Sequence, residues 1–146
     1  MPDKSPTLSE LIDMQIRTGG PMSVANYMGL CLTHPKKGYY RTAEPLGAAG
    51  DFVTAPEISQ MFGELIGFCL VNLFQQMGSP KRFTLMELGP GRGTLMADIL
   101  RVACRAEGFR DGLALRFFET NPALIAEQNA RLAAYEPQWI DAFEKV

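Results

Sequence analysis

Glu87 is followed by Gly89, Gly91 and Gly93, an acid and alternating glycines in the pattern E-x-G-x-G-x-G. The apolar run Phe83-Thr84-Leu85-Met86 leads into the acid, and a helix-forming segment, Thr94 to Arg105, follows the last glycine. Strand, glycine turn and helix in that order place the turn at the carboxyl end of a strand, where an open α/β sheet binds its ligands. Glycines let such a backbone turn tightly and let a ligand lie on it with no Cβ atom in the way. The dinucleotide fingerprint G-x-G-x-x-G, begun at Gly89, needs glycine where Thr94 stands. A carboxylate at Glu87 would repel a pyrophosphate, and Pro90 has no N–H to offer one. The same carboxylate suits a ligand that carries an ammonium group.

A second acid belongs to the next strand. Leu113 to Phe118 is predicted as that strand, and Glu119 stands at its end. In doubly wound sheets an acid about 20 residues past the glycine turn accepts from the ribose hydroxyls of a nucleoside. Position 93 to Glu119 is a span of 26 residues, and to Asp111 a span of 18. Asp111 precedes the apolar run whereas Glu119 ends it, so Glu119 is the expected acceptor. Asp141 follows the apolar pair Trp139-Ile140, at the start of a third strand predicted over Trp139 to Phe143.

The glycine turn resembles motif I of class I S-adenosylmethionine (SAM) methyltransferases. That resemblance implies SAM as cofactor, a molecule without phosphate. Gly89, Pro90, Gly91 and Gly93 would carry it, Glu87 would accept from its ammonium, Glu119 from its ribose and Asp141 from its adenine amino group. Two further tracts, HPKKGYY (His34 to Tyr40) and GDFVTAPEISQMFGE (Gly50 to Glu64), join ELGPGRGTL (Glu87 to Leu95). Together they resemble the arginine methyltransferases of the mitochondrial complex I assembly type and their bacterial MidA-like relatives, over about Thr7 to Val146. The resemblance implies a protein substrate, an arginine of a complex I subunit in the mitochondrial members, and admits a homodimer. It implies the mitochondrion in a eukaryote; the lack of an Arg-rich amphipathic leader at Met1-Pro2-Asp3-Lys4 points to a bacterial cytoplasm.

An arginine nucleophile must have its guanidinium oriented and must lose a proton, and paired carboxylates bind that planar fork. Asp51 and Glu57 in the middle tract are the expected pair. Each has a plainer reading: Thr54-x-x-Glu57 is a capping box, and Asp51 follows Gly50 in a turn. Tyr39 and Tyr40 read as pocket or packing residues. Family members continue beyond the third strand, so the chain reads as the N-terminal part of a Rossmann-like α/β fold, with activity expected of the full-length protein. Such a part would leave a sheet edge unpaired and apolar surface uncovered.

The elements that must position these residues divide at residue 80. Residues 1–80 read as a helical region containing a loop, 41–55, at the active site; residues 81–146 read as β-α-β-α-β, a parallel sheet with right-handed crossovers. Thr7-x-x-Glu10 is a capping box with Leu8, Leu11, Ile12 and Ile16 on one face behind it. A second helix is predicted over Ser23 to Thr33. The longest, Pro56 to Met77, carries an apolar stripe wide enough for a buried core helix, with Gly63 and Gly67 marking a close helix contact. Gly108 to Gly112 reads as a loop, and Pro122 to Tyr135 as a helix with Leu124, Ile125 and Leu132 inward.

Composition excludes several classes. The chain has 146 residues, 47% of them hydrophobic, and a net charge of −2. There is thus no basic field for nucleic acid. Cys31, Cys69 and Cys104 are far apart and without a C-x-x-C, which points to buried reduced thiols and to no metal site. A lone His34 leaves no Ser-His-Asp triad. The apolar run Leu65 to Phe74 falls short of the about 20 residues of a membrane span. An NAD(P)-linked Rossmann oxidoreductase, which Thr94 disfavours, and a non-catalytic assembly module are the alternatives. Binding of SAM against NADH separates the first from a methyltransferase, and activity of the complete gene product the second.

Overall fold

A computed structural model describes residues 5–42 and 50–140. Asp141 lies outside them, as do residues 43–49 of the 41–55 loop. Two compact units are formed, Met1–Pro45 and Leu46–Val146. The long helix over residues 60–76 therefore packs with the sheet, although the sequence reading draws its boundary at residue 80.

In the first unit, α1 (Leu8–Gly19) begins at the expected capping box. The Thr7 amide donates to Glu10 Oε2 at 2.7 Å, and the Glu10 amide to Thr7 Oγ1 at 3.2 Å. Ser23 caps α2 (Val24–Thr33). His34 ends it, its Nδ1 accepting from the amides of Lys36 and Lys37, both at 3.2 Å. A short α3 (Tyr39–Thr42) follows, in which the rings of Tyr39 and Tyr40 meet edge to face.

In the second unit, α4 (Ala55–Ile58) and α5 (Gln60–Gln76) replace the single helix predicted from Pro56. Ser59 breaks it with extended backbone, φ −147° and ψ 118°. The strands β1 (Phe83–Leu88), β2 (Leu113–Phe118) and β3 (Gln138–Ile140) form one parallel sheet in the order β1-β2-β3. Crossovers α6 (Thr94–Ala103) and α8 (Pro122–Leu132) join them, with a short α7 (Phe109–Gly112) in place of the expected loop. Leu100, Phe109, Leu115, Phe117 and Leu132 are fully buried between sheet and helices. Phe74, Phe83 and Phe109 add a ring cluster with centroids 4.9–5.1 Å apart, each pair worth about 0.5–1.5 kcal/mol beyond its buried area.

Helix α5 lies on α6 at very short range because of Gly63 and Gly67. A Cβ at Gly63 would stand 2.5 Å from Asp98 Cβ, and one at Gly67 would stand 2.8 Å from the Ile99 carbonyl oxygen. Arg101 rivets the same interface, reaching Glu64 at 3.2 Å and the buried Asp98 at 2.8 Å. The rest of α5 is a correction to the buried-helix expectation. Met61, Leu65, Phe68, Leu73 and Met77 are exposed, because only the glycine-bearing face meets α6. Cys69 on that helix is exposed too, while Cys31 and Cys104 are half-buried, so the three thiols are not uniformly buried.

Candidate functional site

The glycine turn closes off β1. The Gly89 amide donates to the Phe118 carbonyl at 2.9 Å, carrying the β1–β2 ladder one step beyond the strand. Gly89, Gly91 and Gly93 have φ of +65°, +56° and +74°, a region that side-chain-bearing residues enter only with strain. Gly93 is the N-cap of α6 and supplies no side-chain cap. A cleft of about 200 Å³ opens here, lined among others by Glu57, Glu87, Gly89, Pro90, Gly91 and Thr94.

Glu87 is the most informative group in it. Its Oε2 is buried and has no hydrogen-bond partner among the described residues. Burial pushes its carboxyl up to about 7, since taking the charged form out of water disfavours it. A native protein rarely leaves such an atom unsatisfied without a functional reason. An ammonium arriving in the cleft would complete it, so the residues present fit SAM.

Glu57 does not cap α4. Thr54 makes no side-chain cap, and Glu57 Oε1 instead accepts from Thr94 Oγ1 at 2.6 Å. Thr94 Oγ1 in turn accepts from Arg131 Nη1 at 2.9 Å. This chain ties the GDF-PEI tract to the first residue of α6. Asp51 is exposed, four residues before α4, and is not among the residues lining the cleft.

Glu119 follows β2 directly. Its Oε1 accepts from the amides of Thr120 at 2.7 Å and Asn121 at 2.8 Å, and its Oε2 meets Gln128 Nε2 at 3.4 Å. Gln128 also donates to the Gly91 carbonyl at 2.7 Å, so Glu119 is linked to the glycine turn. Asp111 lies with Phe83, Thr84 and Leu113, at the amino ends of the same strands. The extra residues between Gly93 and Glu119 are taken up by α7, which explains a spacing longer than usual. Glu119→Ala in the full-length protein is expected to cost about tenfold or more in SAM affinity, at roughly 1.5–3 kcal/mol per bond to a charged group. Asp111→Ala is expected to leave calorimetric affinity unchanged; the reverse pattern would mean that the wrong end of the sheet has been assigned.

Sequence reasoning missed three residues: Thr94 as a hydrogen-bonding group, Arg131 and Gln128. Gln128 had a signal. It sits between Leu124 and Leu132 at steps of four, a polar residue on the inward stripe of α8. Among the described residues no group of three His, Cys, Asp or Glu could hold a metal ion, and no helix is long and apolar enough to cross a membrane.

Comparison with known proteins bears on this cleft. A family of S-adenosyl-L-methionine-dependent methyltransferases matches residues 65–146. The mitochondrial protein arginine methyltransferase NDUFAF7 homolog of Drosophila melanogaster is 43% identical over 125 residues, covering 86% of this chain and 28% of that protein. The mitochondrial protein arginine methyltransferase NDUFAF7 of Rattus norvegicus is 53% identical over 98 residues, covering 67% of this chain and 22% of that protein. The chain thus spans about a quarter of the length of these relatives. A crystal structure from Burkholderia thailandensis, bound to S-adenosyl-homocysteine, superposes with a TM-score of 0.71 at 28% identity, over 92% of this chain and 37% of that one.

Proposed function

Because the chain belongs to the S-adenosyl-L-methionine-dependent methyltransferase family, we propose that it forms the cofactor-binding part of a protein arginine methyltransferase acting in complex I assembly. The observation that carries the cofactor assignment is the orphaned Glu87 Oε2 beside the glycine turn. The substrate class rests on the arginine methyltransferase names of the mitochondrial relatives. In a bacterial cell the protein would act in the cytoplasm, in a eukaryotic one in the mitochondrion.

SAM, when bound, supplies a methyl group on a sulfonium that a guanidine nitrogen can take by in-line displacement. Glu87 holds the ammonium of the cofactor, and the N-terminus of α6 favours its carboxylate. Gly89, Pro90, Gly91 and Gly93 form the surface beneath it. Glu119 accepts from the ribose and Asp141 from the adenine amino group. Glu57 orients the guanidinium of the substrate and accepts the proton that it sheds as the N–C bond forms, while Asp51, on the same tract, is the second carboxylate. Most of the rate comes from alignment, which fixed carboxylates supply without reorganisation.

Full-length protein given methyl-labelled SAM and a complex I preparation is expected to place label on arginine, read by amino-acid analysis, and Glu57→Gln to abolish it. Label on another residue type would overturn the acceptor assignment. Thr94→Val keeps the shape of the side chain but removes the donor to Glu57. It is expected to lower turnover about tenfold, the worth of one hydrogen bond to a charged group, with SAM affinity within about twofold of the parent's. Equal turnover would show that Glu57 needs no alignment from α6.

A further inference from the structure

Gln128 on α8 is completely buried, yet it is a polar residue on an apolar stripe. Its amide is fully used. Nε2 donates to the Gly91 carbonyl at 2.7 Å and approaches Glu119 Oε2 at 3.4 Å, and Oε1 accepts from Trp139 Nε1 at 2.6 Å. One side chain therefore touches the glycine turn after β1, the acid after β2 and the indole on β3. A Cβ at Gly93 would stand 3.4 Å from Gln128 Cγ, so the turn is also packed directly on this residue.

The geometry around Glu119 shows what this does. Oε1 is occupied by two backbone amides, which pins the carboxylate plane. Among the described residues Oε2 has only the long contact from Gln128, which orients that oxygen while leaving it acceptor capacity for a ligand hydroxyl. Trp139 fixes which end of the Gln128 amide faces Glu119, because an indole N–H can only donate. We infer that Gln128 is a positioning residue, held in one orientation by Trp139, that sets Glu119 against the ribose of the cofactor and in register with the glycine turn. This rests on the ribose assignment of Glu119 made above.

The test uses full-length protein and two probes, SAM and its analogue lacking both ribose hydroxyls. Calorimetric affinities are compared for the parent, Gln128→Met, Glu119→Gln and the double variant. A residue acting through Glu119 should cost SAM about tenfold, the worth of a hydrogen bond to a charged group. The dideoxy analogue should lose several-fold less. In the Glu119→Gln background the further loss of SAM affinity from Gln128→Met should largely vanish, because coupled residues are not additive. Equal losses for both probes, with Glu119→Gln damaging, would reduce Gln128 to a packing role and overturn the inference alone. Glu119→Gln without effect on SAM would overturn the ribose assignment and the inference with it. If Gln128→Met does not fold, Gln128→Asn takes its place: the amide stays, but Nε2 is withdrawn by one methylene, and the same comparison between probes decides.

Discussion

Glu87→Gln should make the protein more stable and nearly unable to bind its cofactor. The two effects share one cause. The Glu87 carboxyl sits at about 7 in the folded protein because burial disfavours its charge. Its ordinary value in an unfolded chain is 4.5. Between those values the folded state binds more protons than the unfolded state, so stability falls as pH rises through the window. Below it the carboxyl is neutral in both states and costs nothing; above about 7 the penalty is fully in place. A difference of this size corresponds to about 3 kcal/mol at 1.36 kcal/mol per unit. Glutamine carries no such penalty, so the ligand-free variant should melt higher than the parent at pH 8 and equally at pH 4. The same change removes the charge that answers the cofactor's ammonium, a loss of roughly 2–3 kcal/mol, or thirtyfold to a hundredfold in affinity. A variant that bound SAM like the parent would contradict the assignment; one that melted no higher at pH 8 would contradict the burial argument.

Gly91→Val should abolish measurable SAM binding, a loss greater than about a hundredfold. Its backbone has φ +56°, where a β-branched residue is strained by at least about 1–2 kcal/mol, and it lines the cleft proposed for the cofactor, where added side-chain bulk would compete for space. Strain alone must be separated from occlusion. Gly108 offers the control, with φ +74°, no atom within 4 Å of an added Cβ, and a place at the start of α7 rather than in the cleft. Gly108→Val should therefore lose a similar few degrees of melting temperature and keep its SAM affinity. Equal loss of binding in both variants would mean that destabilisation, and not the site, explains the effect.

What was legible in the sequence was local. Strand, glycine turn and helix over Phe83 to Ala103 follow from composition and spacing, and the GxxxG of Gly63 and Gly67 correctly announces a close helix contact. Thr54 and Glu57 satisfy the spacing of a capping box, yet the break at Ser59 shortens α4 to a single turn, and the Glu57 side chain finds a stronger partner in Thr94, 37 residues away. No local pattern contains that contact. Thr94, which departs from the dinucleotide fingerprint, thereby acquires a positive reason to be threonine. The wide stripe of α5 predicts more burial than the fold gives, because burial depends on what covers a helix, and among the described residues one face is covered, by α6 and by the rings of Phe83 and Phe109. Gln128 is visible as a polar residue between leucines, but its three partners belong to three different strands or the turns that follow them, and only the folded sheet brings them together.

Titration of the full-length protein with SAM and with NADH, at pH 7.5 and at pH 5.5, decides whether the glycine turn with its buried Glu87 is a SAM site. SAM should bind at pH 7.5, where Glu87 is largely ionised, and about tenfold or more weakly at pH 5.5, where a carboxyl at about 7 is protonated. NADH should give no heat at pH 7.5, where its pyrophosphate would face an ionised carboxylate. NADH binding at pH 7.5, or SAM affinity identical at the two pH values, would contradict this assignment.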